Sequence, residues 1–263
     1  MALLLLAVAL LGLAVGSFLN VVIHRVPARQ SLSTPSSRCP ECGHPVRHRH
    51  NVPVLGWLVL KGRCADCQSP ISPRYPAVEL LTALLFVAVT ARVAQLNLLP
   101  ALPAFLVFVA AGVALAAIDL EVGRLPDAIV LPTYPVLAAL LLTAGLVTGD
   151  LPAVLRALIG AVSTFALFYA LALAYPGGMG FGDVKLAGLV GGLLAYVAYP
   201  VLLVGLAAAF LLGALIGVAA ALRGRASRKS AVPFGPFMVA GALAALFVGG
   251  PLADLYSRAL LTS

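Results

Sequence analysis

Long uncharged stretches constrain this chain more than any other feature of its sequence. Residues 186–222 form a run of 37 residues without Asp, Glu, Lys or Arg, and residues 157–182 form another run of 26. Hydrophobic residues make up 62% of the chain and charged residues 10%, against about 45–50% and about 25% in soluble domains. Because a helix needs about 20 apolar residues to cross a bilayer, the sequence predicts an all-α polytopic membrane protein.

Eight apolar segments are predicted to span the membrane, with seven spans as the alternative. The run of 37 residues is too long for one helix and divides best at Pro200. The first segment lacks the basic start and the small-residue cleavage site of a secretory signal, so we expect it to be a retained helix. The predicted spans are residues 1–23, 76–98, 100–118, 128–148, 154–175, 184–199, 201–222 and 232–252.

Basic residues predict the orientation of these spans. Most of the 17 Lys and Arg residues lie in the loop between the first two spans or in later connections on the same side. Since Lys and Arg are enriched in cytoplasmic loops, eight spans place both termini outside and this loop in the cytoplasm. The net charge of +8 follows from that topology and requires no nucleic-acid partner. The lipid bilayer, with its anionic headgroups, is the partner that a basic face favours.

The cytoplasmic loop, residues 24–75, is predicted to be a small metal-binding domain between the first span, residues 1–23, and a membrane-embedded domain, residues 76–263. It is polar, and it contains all four cysteines as two Cys-x2-Cys pairs separated by 21 residues. This spacing is typical of zinc ribbons, in which each pair directs two thiolates at one ion. The predicted ligands are Cys39, Cys42, Cys64 and Cys67.

Two disulfides, or four reduced cysteines without a metal, are the alternatives to zinc. Cytoplasmic thiols are kept reduced, which argues against disulfides. Four thiolates fill a tetrahedral shell and leave no open position for catalysis, so the predicted role of the ion is structural. His44 and the histidines of residues 48–50 could replace a ligand, but we expect them to be solvated.

Three of the nine acidic residues fall at the same predicted membrane face. Asp119 ends the uncharged run 93–118, Asp127 begins the fourth span, and Asp183 precedes the sixth. Carboxylates at membrane depth are costly, and they are functional by default where they face a bundle interior. Asp127 is interpreted as a helix cap, since Asp is a favoured cap residue. Asp119 closes a helix, where the dipole disfavours an anion, so its position needs another reason.

The glycines before Asp183 exceed what a helix cap requires. The segment reads GGMGFGD over residues 177–183, and it fits neither the Rossmann nor the Walker phosphate-binding pattern. Glycine permits positive φ and close approach of another backbone. We therefore expect Gly180 and Gly182 to let a substrate strand lie beside Asp183. Glu79 is the remaining candidate, either as a first-turn carboxylate favoured by the helix dipole or as a polar group in the substrate site.

Asp119 and Asp183 together predict an aspartic peptidase pair. Two carboxylates held close together cannot both ionise easily, so they share a proton, and such a pair can activate water and protonate a leaving amine. The four histidines lie in or beside the first loop, and no cysteine lies outside it. The sequence therefore offers neither a Ser-His-Asp triad nor a thiol nucleophile.

Several segments, taken in order, resemble the type IV prepilin leader peptidases, also called prepilin peptidase/N-methyltransferases. GFGD at residues 180–183 is also similar to the GxGD signature of presenilin-type intramembrane proteases. The resemblance covers most of the chain. Besides the paired cysteines, the segments are GSFLNVVIHRVP (16–27), SPRYPAVELLTALLF (72–86), IDLEVGRLPDAIVLP (118–132) and GMGFGDVKLAGLVGG (178–192).

The resemblance implies the catalytic residues and the reaction. The family's catalytic aspartates fall on Asp119 and Asp183. The implied substrates are type IV prepilins or pseudopilins, whose basic leader is cut after a glycine on the cytoplasmic side of the bacterial inner membrane. The new N-terminal residue, usually Phe, is then methylated from S-adenosylmethionine. The resemblance does not identify the residues that bind this methyl donor, and no oligomeric state follows from the sequence.

A transporter is the main alternative function. Asp119 and Asp183 could instead form a proton or cation site, with the zinc loop as a cytoplasmic cap. Such carriers often contain internal repeats and broken helices near the bilayer midplane. The sequence has no convincing repeat, and its acids lie at one face, so a peptidase is favoured. A structural scaffold capped by zinc is a third, weaker interpretation.

Overall fold

The computed structural model describes residues 1–175, 178–223 and 233–261. Helices make up almost all of its regular structure, and within the described residues strand pairing is limited to two isolated bridges, Arg38 with Pro45 and Arg63 with Pro70. The helices are α1 (Ala2–Arg25), α2 (Leu55–Val59), α3 (Arg74–Gln95), α4 (Leu102–Val122), α5 (Asp127–Thr148), α6 (Leu151–Ala174), α7 (Phe181–Val197), α8 (Tyr199–Leu222) and α9 (Gly235–Leu261).

Each predicted span coincides with one helix, and the all-α membrane fold is confirmed. The long uncharged run divides where expected, because α7 ends at Val197, Ala198 is extended, and Pro200 lies in the first turn of α8. Six helices among the described residues are long and apolar enough to cross a membrane, namely α1, α3, α4 with the short turn before it, α5, α6 and α8. The count of eight spans therefore remains a prediction.

The chain divides into two compact units, residues 1–91 and 92–263. In the first unit, α1 lies against α3 through glycines. A Cβ atom on Gly12 would lie 2.6 Å from Ala83 Cα, and one on Gly16 would lie 2.7 Å from Glu79 Cα. Small residues allow membrane helices to approach this closely. The predicted domain boundaries after residues 23 and 75 remain a prediction.

In the second unit, α7 is buried along most of its length, and glycines allow neighbouring elements to approach it closely. A Cβ on Gly191 would contact Gly160 O of α6. On another side, Tyr134 Oη of α5 donates a hydrogen bond of 2.6 Å to Lys185 O of α7. Most residues from Val184 to Tyr196 are buried. Because α7 is held by its neighbours along this length, its first turn, which carries Asp183, is held in place too.

Candidate active site

A cavity of about 340 Å³ in the second unit brings the two predicted catalytic aspartates and the two predicted glycines together. Its walls come from the end of α4, the connection to α5, and the start of α7. All three carboxylates that the sequence placed at one membrane face line it, together with both predicted glycines. The lining residues are Asp119, Gly123, Arg124, Leu125, Asp127, Gly180, Phe181, Gly182 and Asp183.

Asp119 is buried in the last turn of α4, with 5% of its surface exposed. Its backbone carbonyl accepts a hydrogen bond from Gly123 N–H, and Gly123 ends the helix in the left-handed conformation. Its side-chain Oδ2 accepts a hydrogen bond of 3.0 Å from the backbone N–H of Gly235, the first residue of α9. The start of one helix thus supplies a donor to a carboxylate that the end of its own helix disfavours.

Asp183 lies in the first turn of α7. Its Oδ2 accepts a hydrogen bond of 3.2 Å from the backbone N–H of Gly180, the reach-back contact of a capping box. Asp183 therefore does cap its helix, as the sequence allowed, and it lines the cavity at the same time. The two aspartates have one feature in common: each accepts a backbone N–H from a glycine.

The expectation of positive φ in the glycine segment is wrong for its described members. Gly180 is extended, with φ −75° and ψ 145°, and among the described residues the glycines with positive φ are Gly43, Gly62, Gly123 and Gly149. Close approach does apply to Gly182, but the neighbour is a side chain of the protein. A Cβ on Gly182 would lie 2.8 Å from Leu125 Cβ. Gly177 lies outside the described residues.

The interpretation of Asp127 as a helix cap is also wrong. Pro126 occupies the cap position of α5, and Asp127 is the first helical residue, without a capping hydrogen bond. Its Oδ1 instead accepts a hydrogen bond of 2.7 Å from Lys185 Nζ. The Lys185 ammonium also lies 4.8 Å from the centroid of the Phe181 ring. Asp127 is therefore bound to α7 at the edge of the cavity.

Gly235 is a site residue that the sequence interpretation missed. It follows a basic segment and lies between two prolines in PFGP, residues 233–236. This pattern of proline and glycine predicts the start of a helix. It gives no indication of which distant side chain the new helix would meet. The contact with Asp119 joins residues 116 positions apart in the chain, so only the tertiary structure reveals it.

The four cysteines of the first unit form the predicted cluster. One sulfur from each lies within 4.8 Å of the others. Cys39 Sγ is 3.8 Å from Cys67 Sγ, and Cys42 Sγ is 4.0 Å from Cys64 Sγ. A tetrahedral zinc ion with Zn–S bonds of about 2.3 Å requires sulfurs roughly 3.8 Å apart. The cluster therefore fits a metal ion, whereas these distances are far longer than a disulfide bond.

The two cysteine pairs are folded in the same way. Residues 38–45 and 63–70 share the pattern Arg-Cys-x-acid-Cys-x-x-Pro, a repeat that the sequence interpretation did not use. In each, the first cysteine's carbonyl accepts an N–H four residues later, from Gly43 at 2.9 Å and from Gln68 at 3.1 Å. Both of these residues have positive φ. The repeat explains how two short segments present matching pairs of sulfurs.

Hydrogen bonds also favour the thiolate form at two of these cysteines. The backbone N–H of Cys42 is the main cause that lowers the pKa of the Cys39 thiol to about 6. The Ser69 hydroxyl, 3.1 Å from Cys67 Sγ, lowers the pKa of the Cys67 thiol. Thiolates are the form of cysteine that binds metal ions. The surroundings of these two sulfurs are suited to metal binding. At Cys42, by contrast, a lowering backbone hydrogen bond from His44 is outweighed by desolvation and the neighbouring cysteine thiols, which raise the pKa of the Cys42 thiol to about 12.

Glu79 lies in the first unit and does not line the cavity described above. It is buried in α3 and is the sixth residue of that helix, beyond its first turn. Its Oε2 accepts a hydrogen bond of 2.7 Å from the backbone N–H of Val54. Val54 caps the short helix α2 and has a φ of 61°. Glu79 therefore anchors the loop that carries the cysteines, and a role for it in binding substrate stays a prediction.

Comparison with known proteins identifies the family of this chain. Residues 105–218, which contain Asp119, Asp183 and both predicted glycines, match the type IV leader peptidase family. Residues 10–93, which contain the cysteine cluster, match the bacterial peptidase A24 N-terminal domain. The chain belongs to the type IV leader peptidase family.

Relatives support this membership across nearly the whole chain. Three curated proteins, each named prepilin leader peptidase/N-methyltransferase, represent them. The protein of Burkholderia pseudomallei is 37% identical over 92% of this chain and 84% of its own length. The protein of Aeromonas hydrophila is 38% identical over 95% of this chain and 92% of its own length. The protein of Bacillus subtilis is 34% identical over 95% of this chain and 96% of its own length. No solved structure matches the chain.

Family membership makes the chain a membrane enzyme, a peptidase with methyltransferase activity. The resemblance stated from the sequence is confirmed, and the relatives named above favour the peptidase over the transporter alternative. The structure adds the arrangement of two aspartates at one cavity and of four cysteines in one cluster.

Proposed function

We propose that this enzyme is an aspartic endopeptidase that removes the basic leader of type IV prepilins or pseudopilins. One observation carries the proposal: Asp119 and Asp183 line the same cavity, although 64 positions of the chain separate them. Relatives named prepilin leader peptidase/N-methyltransferase supply the substrate class. In a chain with nine acidic residues, two carboxylates at one cavity are the groups best suited to hydrolyse a peptide bond.

The proposed mechanism uses the two aspartates as a general base and a general acid. One carboxylate takes a proton from a water molecule, whose oxygen adds to the carbonyl carbon of the scissile bond. The other, protonated, carboxyl stabilises the developing oxyanion and gives its proton to the leaving amine as the C–N bond breaks. The products are the leader, with a new carboxylate, and the mature protein, with a new N-terminal amine. Neither aspartate forms a covalent bond to substrate.

The proposed substrate path follows the glycines at the start of α7. Gly180 and Gly182 line the cavity on either side of Phe181, which supports their proposed role in binding substrate beside Asp183, although the space next to Gly182 is occupied by Leu125. The scissile bond follows a glycine of the substrate. The leader remains in the cytoplasm beside the basic loops, and the apolar helix of the substrate remains in the bilayer. Glu79 is retained as a predicted substrate contact outside this cavity.

Methylation is proposed as the second reaction on the same product. S-adenosylmethionine would transfer its methyl group to the new N-terminal amine. The described residues contain no Gly-rich strand-to-helix turn of the dinucleotide-binding type, so we assign no residues to the methyl donor. The cavity at Asp119 and Asp183 is assigned to hydrolysis alone.

Zinc is proposed as the ion of the cysteine cluster, with Cys39, Cys42, Cys64 and Cys67 as its ligands. The four sulfurs have the spacing of a tetrahedral thiolate shell. When bound, zinc would hold the two repeats together and supply folding energy to a loop with a small core. It would take no part in hydrolysis, because four protein ligands leave no position for water.

The proposed location is the bacterial cytoplasmic membrane, with the active site facing the cytoplasm. The distribution of Lys and Arg supports this orientation. Asp119 and Asp183 lie at helix ends that the predicted topology assigns to the same face as residues 24–75.

Purified enzyme in detergent tests the proposed activity. The substrate is a synthetic peptide with a basic leader, a Gly–Phe junction and an apolar helix, and mass spectrometry maps the products. We expect a single cut between Gly and Phe, and methylation of the new Phe when S-adenosylmethionine is added. A peptide with Gly replaced by a bulky residue is the matched control and should remain intact. Cleavage elsewhere, or equal cleavage of both peptides, would contradict the proposed specificity.

A further inference from the structure

The first residue of α9 meets the carboxylate of Asp119 across the second unit. From this contact we infer that Gly235 is a positioning residue for hydrolysis, whose backbone N–H sets the orientation of the Asp119 side chain. The close approach of Asp119 to the Gly235 backbone also leaves little room for a side chain at this position. The inference rests on the proposed catalytic role of Asp119 and adds α9 to the elements that build the site.

The hydrogen bond itself is the first support. Gly235 N–H donates to Asp119 Oδ2 at 3.0 Å, and both residues are buried. The first N–H groups of a helix have no partner within the helix, and they carry its positive dipole end. A buried carboxylate in turn needs donors to offset its lost hydration. The Gly235 N–H and the Asp119 carboxylate therefore provide each other's hydrogen-bond partner at a buried position.

The space around Gly235 is the second support. A Cβ atom at this position would lie 2.8 Å from Asp119 Oδ2 and 3.1 Å from Leu125 Cδ2. Real Cβ atoms are essentially never found within 3.0 Å of another heavy atom, so a side chain here forces a shift, and the end of the Asp119 side chain is the group that can move. The φ of Gly235 lies outside the left-handed region, so the backbone itself tolerates alanine. Glycine is required here for space next to Asp119.

The two aspartates accept their hydrogen bonds from different parts of the chain, so a change at Gly235 should affect Asp119 and leave Asp183 in place. Asp183 receives its N–H from Gly180, three residues earlier in the same turn, so its orientation is set locally. Asp119 receives its N–H from another helix, 116 residues later. With Oδ2 bound, the plane of the Asp119 carboxylate is set, and so is the position of Oδ1 relative to the cavity. Since hydrolysis depends on the placement of both carboxylates, α9 contributes to catalysis without touching substrate.

Substitution of Gly235 in the full-length enzyme tests the inference. We expect Gly235→Ala to lower kcat for peptide cleavage by about 100-fold, as expected for a displacement of reacting groups by about 1 Å, with KM little changed. Methylation of a pre-cleaved peptide should be retained, which shows that the protein is folded. Gly217→Ala is the matched control, because a Cβ on Gly217 meets nothing within 4 Å. It should cleave at the wild-type rate.

A double variant separates positioning from simple packing. Adding Leu125→Ala to Gly235→Ala removes the contact with Leu125 and leaves the contact with Asp119. Because Leu125 also lines the cavity, the double variant is compared with Leu125→Ala alone. If Gly235 positions Asp119, Gly235→Ala lowers kcat by a similar factor in both backgrounds. Recovery of the Leu125→Ala kcat in the double variant, or full activity in Gly235→Ala alone, would overturn the inference. If Gly235→Ala fails to fold, the double variant still tests the inference, because Leu125→Ala removes the packing contact between residues 125 and 235.

Failure of this inference can be told apart from failure of the proposed function. If Asp119→Asn still cleaves the peptide, Asp119 is not catalytic and the proposed function is wrong. If Asp119→Asn is inactive while Gly235→Ala cleaves at the wild-type rate, the proposed function stands and only the positioning role of Gly235 is lost.

Discussion

The ion pair between Asp127 and Lys185 lies beside the two aspartates but differs from them in exposure. Its distance is 2.7 Å, and the Asp127 side chain is 56% exposed, whereas Asp119 is 5% exposed. Exposed ion pairs contribute about 0–1 kcal/mol to stability. Asp127 therefore joins α5 to α7 with little effect on stability, and its exposure distinguishes it from the buried Asp119.

We predict that Asp127→Asn keeps substantial peptidase activity. The substitution preserves the shape of the side chain and removes one charge from a solvent-screened pair, so the free energy of unfolding should fall by about 1 kcal/mol or less. Peptide cleavage and thermal unfolding in detergent are the measurements. Complete loss of cleavage in folded Asp127→Asn would show that this carboxylate takes part in the chemistry.

The sequence identified the acidic residues of the site but not the hydrogen-bond partners of Asp119 and Asp127, which lie far away along the chain. Asp119 and Asp183 stood out because acidic residues are few and these two end or begin apolar runs. The partner of Asp127 is 58 residues away and that of Asp119 is 116 residues away. Whether Asp127 caps its helix or is the first helical residue is a difference of one position, and the sequence does not decide it.

At the scale of helices, the start of α7 combines a catalytic candidate with a close packing contact. Gly182 lies against Leu125 of the connection between α4 and α5, and Asp183 follows directly. The positions of the helices were predictable, since apolar runs and Pro200 mark them. The contact of Gly182 with Leu125 was not, because glycine allows close approach of any neighbour and does not specify which one.

We predict that Gly182→Val stops cleavage although Asp183 is intact. A branched Cβ would meet Leu125 Cβ at less than 3.0 Å, so the first turn of α7 or the 123–126 connection must shift. Gly217→Val is the matched control, since its surroundings are open. Peptide cleavage is measured on both variants after thermal unfolding shows that they are folded. Wild-type activity in Gly182→Val would mean that the site tolerates this shift.

The cysteine loop gives a second prediction at this scale. Enzyme purified under reducing conditions should contain one zinc ion per chain, because four sulfurs form one shell. Cys39→Ser or Cys64→Ser should lose the ion and make the loop more sensitive to protease, since the metal holds its two repeats together. His44→Ala is the control and should retain zinc. Metal analysis that finds no zinc in reduced wild-type enzyme would contradict this assignment.

At the scale of the whole molecule, two reactions are assigned to one chain. Hydrolysis is assigned to the cavity in the second unit, and methylation follows on the product. We predict that Asp119→Asn and Asp183→Asn still methylate a pre-cleaved peptide, because methyl transfer to an amine requires no activated water. Incorporation of labelled methyl groups is the measurement. Loss of methylation in both folded variants would show that the two reactions share a site.

The central claim, that Asp119 and Asp183 form the hydrolytic pair, is tested most directly by cleavage rates of single variants. Asp119→Asn and Asp183→Asn keep the size of each side chain and remove its ability to exchange a proton. Each variant should lose detectable cleavage of the leader peptide while its zinc content and thermal unfolding remain those of the wild type. If either folded variant cleaves the peptide at a rate near that of Asp127→Asn, the aspartate concerned is not part of a catalytic pair.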